Sequence, residues 1–152
     1  MNSVDTNAVL NRLLVLHNRS LAMYLSDAMP WSVPEDESAR AVLRQIADDH
    51  RAMVDRLGEM ILEGDGTVAF GEYPLRFTAY HDLSFDFLLE KLIEDQKQLV
   101  DQIAQCVDQL RLTPPAQSIA QEALGEAKGH LESLEELRAQ RAATKRQTAA
   151  CG

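Results

Sequence analysis

The chain has 152 residues, 45% hydrophobic but only 5% aromatic, and carries a net charge of −9 with a pI near 4.8. One domain with a core of Leu, Ile, Val and Met follows, and the negative field disfavours nucleic acid and anionic lipid as partners. No basic segment leads into an apolar one, and no apolar run approaches the ~18 residues of a membrane span, so neither secretion nor membrane insertion is expected.

Only 7 glycines and 5 prolines punctuate the sequence, and they cluster, which leaves long segments for helices and predicts an all-α fold. The first helix is expected over residues 4–29, with Asp5 or Thr6 as N-cap and Pro30 as its stop. Its apolar seam reads Leu10, Leu13, Leu14, His17, Leu21, Tyr24, Leu25, with a histidine near the midpoint. After PWSVPEDES, Glu35 to Glu37 place negative charge where a second helix would begin. Its seam, Leu43, Ile46, His50, Met53, Leu57, Met60, again has a histidine at its centre, and it ends near Glu63 at the turn signal Gly64-Asp65-Gly66.

Residues 64–83 carry no helical period and are broken again at Gly71 and Pro74. Such a stretch can span ~60 Å, more than the ~39 Å length of the first helix, so it can return to the starting end of the bundle. The third helix, residues 84–111, has the seam Phe85, Leu89, Leu92, Gln96, Leu99, Ile103, Cys106, Leu110. Thr113-Pro114 opens the fourth, with Ile119, Ala123, Ala127, His130, Leu134 and Leu137 on one face. Residues 141–152 are basic and read as a fraying end and a disordered tail, leaving 1–140 as the domain.

Four amphipathic helices, two short connections and one long crossover between helices two and three describe a four-helix bundle. An internal near-repeat supports this. His17 precedes His50 by 33 residues, Gln96 precedes His130 by 34, and both later histidines sit in an Ala-x-x-His frame, Ala47 to His50 and Ala127 to His130. Packing the two hairpins together would bring His17, His50, Gln96 and His130 to one level.

With these motifs the chain resembles the ferritin-like superfamily, particularly its bacterioferritin and rubrerythrin-type members, over residues 4–140. The resemblance is clearest in IADDHRAMVDRLGEMILEGDG and LLEKLIEDQKQLVDQI. It implies a di-iron layer built from a Glu on helices one and three and Glu-x-x-His on helices two and four. Those positions here are His17, Gln96, Ala47 with His50, and Ala127 with His130, so every carboxylate is replaced. The place of the haem-ligating Met is Asp48, so no haem is expected. The resemblance also implies a homo-oligomer, a dimer or larger, pairing through the first two helices.

Three neutral imidazoles and an amide cannot balance two iron ions, so ferroxidase chemistry of the usual kind is not expected at this layer. Asp49, Glu126, Asp95 and Glu94 lie close in sequence but reach it only if the helices are rotated from this reading. Two readings stand: one Zn, Fe or Cu ion on His17, His50 and His130 with Gln96 orienting a water or a ring, or a metal-free polar layer that fixes register. An iron store with a rearranged site and a purely structural or interaction module are also compatible with the sequence. Catalytic residues are not identified: Ser/His/Asp constellations, phosphate loops and EF-hand spacings are absent. Cys106 reads as a buried hydrophobe and Cys151 as a tail thiol, both reduced, as in the cytoplasm. Tyr24 reads as core, His81 as an exposed crossover residue, and Trp31 as a bundle cap or subunit anchor.

Overall fold

A computed structural model describes residues 3–28, 37–80 and 84–151. They are all-α: α1 (Ser3–Asn18), α2 (Leu21–Ala28), α3 (Glu37–Glu63), a 3-10 helix (Leu75–Tyr80), α4 (Phe85–Gln109) and α5 (Pro114–Cys151). Trp31, Pro30, Glu35 and His81 lie outside the described residues, and none of the helices described is long and apolar enough to cross a membrane.

The expected first helix is in fact two. A continuous helix would send the Leu21 N–H to the His17 carbonyl; instead it donates to Asp95 Oδ2 on α4 at 3.2 Å. Ser20 then caps α2, its Oγ accepting the Met23 N–H at 3.3 Å. Neither glycine nor proline marks the break; a half-buried carboxylate on another helix accepts the N–H released there. α1 also begins at Ser3, ahead of the expected caps, and the Thr6 hydroxyl lies 3.2 Å from that of Thr113, joining α1 to the α4–α5 turn.

α3 ends where the turn signal lies. The Gly66 N–H donates to the Ile61 carbonyl and that of Asp65 to Leu62, a Schellman arrangement with Asp65 at φ 61° as the left-handed residue. Gly66 is needed for close approach, since a Cβ there would lie 2.8 Å from Ile61 Cγ2. The crossover then runs along α1 from its start towards its end. Asn7 donates to the Gly64 carbonyl, Asn11 to that of Thr67, and Asn18 to that of Phe70. Phe77 closes the segment into the core against Tyr24, with Tyr73 and Tyr80 beside it.

α1 and α2 pack on α3, and α4 packs on α5. Ser84 caps α4 through the Phe87 N–H. α5 continues through the stretch expected as a disordered tail, and its basic residues have a reason to be there. Arg141 pairs with Asp86 at 2.8 Å and lies over the Phe85 ring, Lys145 also pairs with Asp86, and Arg138 pairs with Glu90. Lys145 and Arg141 hold the Asp86 carboxyl below its ordinary range.

The core is two apolar clusters. One gathers Leu10, Leu13, Leu14, Met53, Leu57, Ile103 and Ala127, and the other Leu21, Leu25, Ile46, Phe85, Leu92, Ile93 and Leu134. Along the chain, each of the four polar seam residues falls between a member of one cluster and a member of the other. A polar slab therefore separates two hydrocarbon layers.

Candidate metal centre

His17, His50, Gln96 and His130 are all buried at that level, with 1%, 1%, 2% and 7% of their surface exposed. The expected seams are reproduced, with Leu43 and Met60 only half-buried. His17 and His50 meet edge to face with ring centroids 5.1 Å apart, and His50 and His130 at 5.6 Å. The four residues do not play equivalent parts.

His17 lies 2.8 Å by Nδ1 from the Leu13 carbonyl one turn back. A carbonyl only accepts, so Nδ1 carries the proton. Burial, opposed weakly by that bond and joined by repulsion from His130, lowers its pKa to about 4. The Gln96 amide donates to the Ala127 carbonyl at 2.9 Å and ties α4 to α5. His50 Nδ1 lies 3.0 Å from the Ser20 hydroxyl at the helix break. Burial first, then the two neighbouring imidazoles, hold His50 neutral well below its ordinary range. His130 donates from Nε2 to Asp49 Oδ2 at 2.8 Å, which leaves Nδ1 on the other side of the ring from that bond. His50 Nε2 and His130 Nδ1, on adjacent rings, are buried without a hydrogen-bond partner. Buried polar atoms are rarely left so, and a pair of them marks a place where a ligand would be favourable.

The carboxylates that the seam lacks arrive from its edge. Ligand atoms of Asp49, Glu126 and His130 all lie within 4.8 Å of one another. No rotation of the helices is required, because Ala47, His50 and Ala127 stay buried while Asp49 and Glu126 sit half-buried beside them. Asp49 Oδ1 also accepts from Gln45 at 2.9 Å, which orients the group. Burial, and then repulsion from Asp49, raise the Glu126 carboxyl, while His130 and Arg56 pull it back. Carboxylates held this close favour a cation between them. Two signals for this cluster were in the sequence: Glu126 and His130 are four apart on one helix face, and Asp49 adjoins His50.

The other candidates fall elsewhere. Asp48 is exposed and pairs with Arg51, and Glu94 is exposed near Lys91. Asp95 is used at the helix break; burial raises its carboxyl, while the Leu21 N–H, Arg76 and Arg19 oppose that. Ser20, which no pattern in the sequence singled out, enters the layer through His50. Cys106 is buried and its thiol is pushed up by desolvation. Neither a protein-family model, a curated protein nor a solved structure matches this chain.

Proposed function

We propose that the chain is a divergent ferritin-like four-helix bundle that holds one divalent transition-metal ion, and is not a ferroxidase of the usual kind. The observation that carries the reading is the convergence of Asp49, Glu126 and His130 beside two partnerless ring nitrogens. Two carboxylates neutralise one divalent ion, and an imidazole adds the nitrogen donor that Zn²⁺ and Fe²⁺ favour over Ca²⁺ or Mg²⁺. His50 is the interior imidazole nearest this set. A second ion would find only neutral rings, which is why one ion and not a pair is inferred.

In this reading His17 and Gln96 fix the register of the helices through Leu13 and Ala127 and are not ligands. The crossover that runs along α1 supports the ferritin-like connectivity, and self-association through the outer faces of the first helices belongs to the same proposal. Elemental analysis of protein purified without chelator tests it: about one Zn or Fe per chain is expected, falling to background in His130→Ala. Stoichiometric metal retained in His130→Ala, or none in the wild type after incubation with Zn²⁺ or Fe²⁺, would overturn the reading. Sedimentation mass tests the oligomer separately.

A further inference from the structure

We infer that the cavity running along α1 as far as its break with α2 is a binding site for a small organic acid, a carboxylate on a short hydrocarbon body, gripped by Arg19 and Arg76. The cavity, of about 470 Å³, lies between α1, α4 and the crossover, a volume in the range of small-molecule sites. Val15, Leu16, Phe77 and Leu99 give it apolar walls, and Arg12, Arg19 and Arg76 line it as well.

Charge makes the case. On a chain of net charge −9, three guanidinium groups gather at one cavity against a single lining carboxylate, Asp95. Asp95 already accepts the Leu21 N–H. Elsewhere Arg40, Arg56, Arg138 and Arg141 each reach a carboxylate within 3.1 Å. Among the described residues Arg19 and Arg76 reach none at ion-pair distance, although both act on Asp95 electrostatically. The guanidinium carbon of Arg76 lies 5.1 Å from the centroid of the Phe77 ring, a cation–π contact that leaves its N–H donors unused by the ring. Forked donors above hydrocarbon walls suit a monocarboxylate with an apolar body. A bare dianion such as phosphate would gain nothing from the walls and would face Asp95.

The site is separate from the proposed metal ligands, so it can be tested with metal removed. The full chain, in chelator, is titrated with hexanoate, hexanol and inorganic phosphate while the amide NMR shifts of Val15, Phe77 and Leu99 are followed. Hexanoate is expected to move these resonances saturably and to bind at least about tenfold more tightly than hexanol or phosphate. Arg19→Ala and Arg76→Ala are each expected to weaken hexanoate about tenfold with unchanged circular dichroism, while Arg44→Ala, away from the cavity, has no effect. Hexanol or phosphate binding as well as hexanoate, no saturable shift, or hexanoate binding that survives both cavity substitutions would overturn the inference.

Discussion

Asp49 accepts the Nε2 proton of His130 at 2.8 Å, and this bond fixes the ring with its other nitrogen, Nδ1, buried and without a partner. The same carboxylate stands in the cluster with Glu126. In the proposed site a metal ion would take the place of the His130 Nε2 proton that Asp49 holds in the metal-free chain, so Asp49→Asn removes both a charge and a proposed ligand. Zn²⁺ affinity, measured by competition with a chromophoric chelator, is expected to fall by at least about 10- to 100-fold, with the fold retained. Unchanged affinity would remove Asp49 from the site.

His17 offers the cleanest test of the register role. Its Nδ1 shares the Leu13 carbonyl with the helix's own N–H ladder, so replacing the ring leaves no orphaned acceptor. His17→Leu is expected to change the stability of the metal-free protein by no more than about 1 kcal/mol, because loss of a buried polar group offsets imperfect packing. His17→Ala, which leaves a hole, is expected to cost about 2–4 kcal/mol. Urea unfolding reports both, and equal losses in the two variants would show that the ring makes a contact not accounted for.

Acid should unfold the metal-free protein through the same residue. His17 has its folded pKa lowered to about 4 from 6.5. Above pH 6.5 it is neutral in both states and contributes no pH dependence. Between pH 6.5 and 4 the unfolded chain takes up a proton that the folded chain refuses, so stability falls with pH, by roughly 3 kcal/mol across that window from His17. His50, also lowered, adds to the slope in the same direction. Urea midpoints between pH 7 and 4.5 should show the decline, and His17→Leu should flatten it.

Cys106 is fully buried and its thiol is pushed up. In Cys151→Ser, where Cys106 is the remaining thiol, a disulfide reagent is expected to react only at the rate of unfolding and promptly in denaturant. Rapid labelling of the folded protein would mean that the α1–α4 packing around Cys106 opens readily.

The seams were legible because period and burial are both set by local sequence: Leu10 to His17, Ile46 to Leu57 and Leu89 to Cys106 lie inside as their spacing requires. The break at Ser20 was not, because the group that takes the Leu21 N–H is Asp95, 74 residues away, and no local propensity announces it. The continuation of α5 past residue 140 was missed for a similar reason, since the helix-stabilising partners of Arg141 and Lys145 sit on α4 at Asp86. At the site, the sequence exposed the histidines but not their roles. Only side-chain geometry separates His17, satisfied by Leu13, from His130, aimed between Asp49 and the interior. Asp49 and Glu126 were expected to reach the layer only with the helices rotated, but half-buried side chains at its edge need no rotation. Asp49 and Glu126 are one step off the seam, close enough to bend back to it.

Titration of the metal-free full chain with Co²⁺, followed by its visible d–d absorption and repeated on Glu126→Gln and His130→Ala, tests the central claim most directly. The bands are expected to saturate at about one equivalent, weaken in Glu126→Gln and vanish in His130→Ala, while His17→Leu leaves them in place. Saturation at two equivalents, or bands that persist in His130→Ala and disappear in His17→Leu, would contradict it.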